Sequence, residues 1–231
     1  MTTLEQPQDD KTIVQNYFNN IGFDRWQRIY GTGDVSKVQA DIRLGHQQTI
    51  DTVLAWLRQE GNLKGRLICD AGCGVGSLSI PLAQMGARVY ASDLSAKMVD
   101  ETRRRSQDIL GPKDELILSV ADLETLVGRY HTVICLDVLI HYPDSQMAAM
   151  LNHLSNLADR QLILSFAPKT VKYTLLKKVG EFFPGSSKAT RAYLHPETAI
   201  AEILHQLGWR IERTAMTKTR FYFSQLIEAR R

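Results

Sequence analysis

The sequence predicts an α/β protein built on a seven-stranded, mostly parallel sheet, with helices on both faces and one antiparallel strand in a C-terminal hairpin. Three observations predict it. From Arg66 onward, short apolar runs alternate with stretches of helical period, the grammar of parallel strands joined by crossover helices. The last two apolar runs, 210–220 and 220–230, follow one another with no helix between them, which makes an antiparallel hairpin at one sheet edge. A turn carrying three alternate glycines, Gly72, Gly74 and Gly76, directly follows the first apolar run. Such a turn marks the ligand crevice of an open α/β sheet.

Residues 1–10 read as a tail. Ile13, Val14, Tyr17, Phe18 and Ile21 then recur at helical spacing, and Phe23, Trp26, Ile29 and Tyr30 follow before the break at Gly31-Thr32-Gly33. A longer helix runs from Ser36 to Glu60 with Ile50, Val53, Leu54 and Leu57 on one face, and Gly61 stops it. RLICDAG (66–72) is the first strand and GSLSIPLAQMG (76–86) a helix. ARVYASD (87–93) is the second strand, and Ser95 caps the helix that runs through the arginine-rich 101–105. ELILSVAD (115–122) and HTVICLD (131–137) are strands, a helix covers about 144–158, and RQLILSFAP (160–168) is the fifth strand. Residues 169–195 read as partly helical, then as a loop through Pro184-Gly185-Ser186-Ser187. The next helix starts at Pro196 and ends at Gly208. The whole, 1–231, reads as one domain, with an N-terminal helical lid region at 1–62 and a basic lid insert at 169–195.

Composition bounds the function. With 44% hydrophobic and 23% charged residues, the chain can fill a core, which excludes disorder and a staple-dependent miniprotein. A net charge of +3 does not imply nucleic acid. No apolar run reaches the roughly 18 residues of a membrane span. The first residues, MTTLEQPQDDK, lack an apolar stretch and carry Glu5, Asp9 and Asp10, so neither a secretory signal nor a transit peptide is expected. Cys69, Cys73 and Cys135 have no metal-ligand spacing, and the outer two sit in strand-like runs as small core hydrophobes of a reducing compartment. No cluster with the spacing of a protein metal site is present.

The chemistry gathers at strand ends. In Asp70-Ala71-Gly72-Cys73-Gly74-Val75-Gly76 a dinucleotide fingerprint counted from Gly72 would place its last glycine at 77, where the residue is Ser77. The acid precedes the glycines, and a carboxylate there suits a ligand with an ammonium group better than a diphosphate. Asp93 ends the second strand, where a carboxylate can accept both ribose hydroxyls. A helix cap is the bland alternative, but Ser95 already fills that role. Asp122-Leu123 follows the third strand and by itself reads as a turn.

In this order and spacing the first segment resembles motif I of the class I S-adenosylmethionine-dependent methyltransferases, D/E-x-G-x-G-x-G. The Rossmann-like fold of that class closes five βα strands with such a hairpin. The resemblance implies S-adenosylmethionine as the methyl donor, bound by Asp70, Gly72, Gly74, Asp93 and Leu94. It further implies the Asp122 carboxylate and Leu123 backbone at the adenine, and Asp137 and Tyr17 on the donor side.

Three further segments are more discriminating. FDRWQRIYG near the N-terminus, DVLIHY at 137–142 and FPGSSKATRAYLH at 183–195 resemble the magnesium-protoporphyrin IX O-methyltransferase family, cyanobacterial in type. The resemblance runs from about residue 12 to the end. It implies methyl transfer to a propionate of magnesium protoporphyrin IX in chlorophyll biosynthesis, with the magnesium belonging to the porphyrin. It also implies the magnesium chelatase as a partner, and a cytoplasmic location that is at most peripheral at the photosynthetic membrane. Tyr30 and His141 are the catalytic candidates, as orienting hydrogen-bond donors, and Arg191, Tyr193 and Trp26 the substrate-binding ones.

The insert supports this substrate independently. Lys169, Lys172, Lys177, Lys178, Lys188 and Arg191 face only one acid, Glu181, which suits a flat apolar macrocycle with two carboxylates. For any single lysine, a solvated face or one attracted to anionic lipid is an equal alternative. Arg191 can meet a carboxylate bidentately. Two rival readings stand beside this one: a methyltransferase for another small acceptor such as a quinone precursor, and a non-catalytic porphyrin carrier on the same scaffold.

Overall fold

The computed structural model describes residues 10–19, 21–30, 33–169 and 193–231. Most of the basic insert expected at 169–195, Arg191 included, therefore lies outside the described residues. Two short helices come first, α1 (Asp10–Asn19) and α2 (Ile21–Tyr30). A β-carbon at Gly22 would lie 2.5 Å from Cε1 of Tyr17, so the buried Tyr17 ring packs where only glycine leaves room. Helix α3 (Lys37–Gln59) starts with a capping box: the Ser36 hydroxyl accepts from the Gln39 amide at 3.2 Å, and the Ser36 amide donates to the Gln39 side chain at 3.1 Å.

The sheet then forms from β1 (Leu67–Ala71), β2 (Arg88–Asp93), β3 (Glu115–Val120), β4 (Tyr130–Cys135), β5 (Ala158–Phe166), β6 (Arg210–Lys218) and β7 (Phe223–Arg230). Their order is β3-β2-β1-β4-β5-β7-β6. The pairs among β1 to β5 are parallel, while β7 lies antiparallel to both β5 and β6, as the hairpin pattern predicts. The connecting helices are α4 (Ser79–Gln84), α5 (Ala96–Ile109), α6 (Asp144–Leu157) and α7 (Glu197–Gln206).

Strand alternation sorts the core into two layers. Val133, Leu162 and Ile227 share a cluster with Leu151 and Leu154 of α6, Ile200 and Leu204 of α7, and Trp209 just beyond α7. Their neighbours Ile134, Ile163 and Leu226 point the other way, against Ile50, Val53 and Leu57 of α3 and Leu82 of α4. Each fully buried Leu or Ile is worth ~1.5–3 kcal/mol, so both faces must be covered for the sheet to persist.

Several boundaries differ from the sequence pattern. Helix α4 begins at Ser79, because the glycine turn extends further than the apolar run suggests. Strand β3 stops at Val120, where pairing to β2 ends at Asp93, so Ala121 and Asp122 are loop. Strand β5 begins at Ala158, directly after α6. The strand order reverses between β1 and β4, which opens a crevice at their carboxyl ends.

Candidate functional site

The floor of that crevice is the glycine turn. Gly72 has φ +91°, and a β-carbon there would lie 2.1 Å from Cγ2 of Val138 in the loop after β4. Gly74 has φ +54°, and no protein atom lies within 4 Å of where its β-carbon would be. Gly72 is thus demanded by close packing, whereas Gly74 bares its backbone to open space. The Asp93 carboxylate holds the turn, accepting the amides of Gly74 and of Ser95, each at 2.9 Å. The Thr102 hydroxyl of α5 donates to the Gly74 carbonyl at 2.8 Å. Asp93 therefore ties the end of β2 to the turn, whether or not a ribose also reaches it.

Asp70 is buried beneath the turn, and the Ser79 hydroxyl donates to its Oδ2. Burial pushes its pKa up to about 6, the Ser79 bond opposes this, and the Asp93 charge adds to it. Burial likewise raises Asp93, against the two amide bonds. Burial also raises the thiol of Cys73, and the charges of Asp93 and Asp70 add to this, so it rests as a neutral thiol. Asp122 caps a 3₁₀ turn (Leu123–Thr125), its Oδ1 accepting the Glu124 amide at 3.1 Å, and Leu123 is buried in the core. The Leu94 carbonyl accepts the Gln15 side chain of α1 at 3.5 Å.

On the β4 side, Asp137 takes φ +57°, a conformation rare outside glycine. Its carboxylate is surrounded by donors. Tyr222 Oη donates to Oδ2 at 2.6 Å and His46 Nδ1 to the same oxygen at 3.1 Å. Ser165 and Ser224 hydroxyls donate to Oδ1 at 2.8 and 3.2 Å. Burial alone would raise its pKa, but the bond and charge of His46 and the Tyr222 and Ser165 hydroxyls outweigh it and hold the group ionised. These four donors use a carboxylate's acceptor capacity, so Asp137 serves the crevice as a tie between α3, β4, β5 and the hairpin.

Neither His46 nor Tyr222 stands out in the motif pattern. A signal for His46 exists: it continues the row 46, 50, 53, 57 of α3, so a histidine sits on that helix's apolar face. Tyr222 reaches Asp137 because Gly45 lets its ring lie against α3; a β-carbon there would be 2.4 Å from Cδ1 of Tyr222.

His141 closes a second 3₁₀ turn (Leu139–His141) immediately beyond Asp137. Burial lowers its pKa to about 4 against the opposing charge of Asp137, so the imidazole is neutral at neutral pH. The amide of Tyr193 donates to the Ile140 carbonyl at 2.7 Å, which brings residue 193 beside this turn. The buried His195 braces the same turn, its Nδ1 2.7 Å from Asp144 Oδ1 and its Nε2 3.2 Å from the Leu139 carbonyl.

Tyr30, the last residue of α2, completes the ring of groups. Its ring centroid lies 4.6 Å from that of His46 and stacks on Trp26 at 5.4 Å. Burial pushes its phenol far above the ordinary value, and the charges of Asp137 and Asp93 push it further. Tyr30 thus reaches Asp137 through His46, and His141 lies in the turn that follows Asp137 in the chain. Trp26 stands behind Tyr30, and Tyr17 lies at the α1–α2 corner.

Asp70, Asp93 and Asp137 give the crevice an anionic character, which favours a cationic ligand. The bared backbone at Gly74, beside Asp93, is a cradle that a side chain would fill. Among the described residues, no group of three or more His, Cys, Asp or Glu could hold a metal ion, and no helix is long and apolar enough to cross a membrane.

Comparison with known proteins bears on what fills the crevice. Residues 68–160 match a family model described as a methyltransferase domain, and residues 135–231 match one described as the magnesium-protoporphyrin IX methyltransferase C-terminus. The chain is 61% identical over 221 residues to a magnesium-protoporphyrin O-methyltransferase of Synechocystis, covering 96% of each chain. It is 52% identical over 221 residues to the chloroplastic magnesium protoporphyrin IX methyltransferase of Arabidopsis thaliana, covering 95% of this chain and 71% of that one. A crystal structure of the Synechocystis magnesium protoporphyrin IX methyltransferase with bound SAH matches with a TM-score of 0.88 at 60% identity. That match covers 96% of this chain and all of the other.

Proposed function

The chain belongs to the magnesium-protoporphyrin IX methyltransferase family, and on that premise we propose that it methylates one propionate carboxylate of magnesium protoporphyrin IX in chlorophyll biosynthesis, with S-adenosylmethionine as donor. The observation that supports the reading is a glycine-floored crevice beside Asp137, with Tyr30 packed on the His46 that bonds Asp137 and the Leu139–His141 turn following it. When bound, S-adenosylmethionine supplies a methyl on a sulfonium; the S–C bond breaks with its electron pair on sulfur, an O–C bond forms, and a methyl ester results.

The groups of this chain have little proton chemistry to do. A propionate with a pKa near ~4 is already ionised at neutral pH, so no strong base is needed. With its pKa at about 4, His141 is a neutral ring that can donate one hydrogen bond without carrying charge into the crevice. Tyr30, held far above the ordinary phenol value, keeps its proton and can donate likewise. Two fixed donors orient a carboxylate and are worth most where water is excluded. Asp70 would meet the donor's ammonium, Asp93 its ribose, and the Gly74 backbone would allow close approach. Asp122, Leu123 and Leu94 would line the adenine side, and Tyr17 and Asp137 would bound the donor site.

Helices α1 and α2 act in this reading as a lid, since a macrocycle must enter before water is shut out. Trp26 and Tyr193, beside the two expected catalytic groups, would contact the macrocycle, and Arg191 a propionate. The magnesium chelatase is the proposed partner and the photosynthetic membrane surface a proposed site of peripheral association.

Steady-state rates test the reading with three acceptors: magnesium protoporphyrin IX, metal-free protoporphyrin and a catechol-type quinone precursor. A kcat/KM at least ~100-fold in favour of the magnesium porphyrin is expected, the scale of ~3 kcal/mol of differential binding. Preference for the catechol would replace the substrate, and donor binding with no turnover on any acceptor would favour the carrier reading.

A further inference from the structure

One partly buried side chain beside the crevice has no part in the mechanism above. His46 lies on α3, 12% exposed, with Asp137 on one side and the Tyr30 ring on the other. Its Nδ1 donates to Asp137 Oδ2 at 3.1 Å, and an ionised carboxylate can only accept, which fixes the proton on that nitrogen. Its ring meets Tyr30 at a centroid distance of 4.6 Å and 51°, and meets Tyr222 edge-on at 6.4 Å and 88°. Tyr222 in turn donates to the same Asp137 oxygen at 2.6 Å. The backbone of Tyr30 is held as well: Arg105 of α5 donates to its carbonyl at 3.2 Å, and Arg43 of α3 to the carbonyls of Ile29 and Arg28 at 2.6 and 2.7 Å. Those arginines fix where α2 ends by holding its backbone carbonyls. A tyrosine at a helix end can still swing about its own side-chain bonds, and its stacking partner Trp26 belongs to the same helix. His46 and its Asp137 bond form a contact to the Tyr30 ring anchored in the sheet.

We propose that His46 is a positioning residue for the methyl transfer: held by Asp137, its ring sets the orientation of the Tyr30 ring, and so aims the Tyr30 hydroxyl at the acceptor carboxylate. The proposal rests on the reading that Tyr30 donates to that carboxylate. Two different parts of the side chain do two jobs. The ring face packs on Tyr30, and Nδ1 fixes the ring through Asp137. Phenylalanine keeps the first and loses the second; asparagine keeps a donor near the second and loses the first.

The test is a double-mutant cycle with magnesium protoporphyrin IX and S-adenosylmethionine, using Tyr30→Phe, His46→Ala, the double variant, His46→Phe and His46→Asn. Calorimetry gives the donor Kd and thermal melts report folding. His46→Ala is expected to lower kcat by about 10–100-fold, the cost of a misplacement near 1 Å, with donor Kd changed less than ~3-fold. In the Tyr30→Phe background the same substitution should cost less than ~3-fold, because the hydroxyl it aims is gone. His46→Phe should keep more kcat than His46→Asn. If His46→Ala fails to fold, the Phe and Asn variants carry the same comparison in both backgrounds. An equal fold-loss from His46 substitution with and without the Tyr30 hydroxyl would overturn the proposal and leave His46 a structural residue. Wild-type kcat in Tyr30→Phe would overturn the reading of Tyr30 itself, and the proposal with it.

Discussion

Asp70→Asn separates binding from stability. In the free protein this carboxyl is buried with a pKa of about 6, raised first by burial and further by Asp93. A folded pKa above the unfolded value means the folded state holds the proton more tightly. Stability therefore falls as pH rises through the window between 3.8 and about 6, and the full cost is present above it. Across that window the cost is ~3 kcal/mol at ~1.4 kcal/mol per pH unit. The amide removes the charge, but its N–H groups return ~1–2 kcal/mol of unmet hydrogen bonding. The net gain is then ~1–2 kcal/mol, and for a chain of this size the free protein should melt roughly 2–8 °C higher.

Donor binding moves the opposite way. One charged hydrogen bond to an ammonium is worth ~1.5–3 kcal/mol, so Kd should weaken about 10–100-fold. Wild-type affinity should also fall as pH drops below about 6, because the proton competes with the cation for Asp70, and the variant should lose this dependence. Calorimetric titrations between pH 5 and 8 and melting curves with and without donor measure all three. A variant that melts lower than wild type yet binds the donor equally well at each pH would refute the reasoning and make Asp70 a partner of Ser79 alone.

Gly74→Val should abolish donor binding in calorimetry while porphyrin binding, followed by absorbance, survives, because the new side chain enters space that no protein atom occupies. Gly72→Ala should instead destabilise the fold by at least ~1–3 kcal/mol in denaturant unfolding, and Val138→Ala should restore part of it, because the new β-carbon would fall 2.1 Å from the valine methyl. His141→Gln should keep much more kcat than His141→Ala, with no pH–rate limb near 6.5, because the ring titrates at about 4. A limb near pH 6.5 that disappears with His141 would make it a proton-transfer group. Because its folded pKa lies below 6.5, the same burial predicts stability that is complete above pH 6.5 and is lost as pH falls toward about 4, a loss that His141→Gln should reduce in pH-resolved melts.

The parts of this protein that were legible in the sequence are those that local backbone demands. Short apolar runs placed all seven strands, the missing helix between 218 and 223 set the antiparallel strand, and Ser95 caps the helix expected of it. The turn at 72–76 was legible because left-handed backbone and close approach restrict the residue type. Asp122 was less so, since the end of β3 is set by its pairing with β2, and there it serves as a cap. The groups around Asp137 were not legible: His46 and Tyr222 lie 91 and 85 residues from it in sequence, and packing alone recruits them. A carboxylate that ends a strand looks like a ligand-binding group, and only the packed structure reveals its four internal donors.

The most direct test of methyl transfer to a propionate follows the methyl itself. The protein is incubated with methyl-labelled S-adenosylmethionine and magnesium protoporphyrin IX, and the isolated porphyrin is treated with mild alkali. The account predicts one labelled methyl per macrocycle, released quantitatively as methanol, because an ester saponifies. Label that stays on the macrocycle after alkali, or no label transferred to it, would contradict the account.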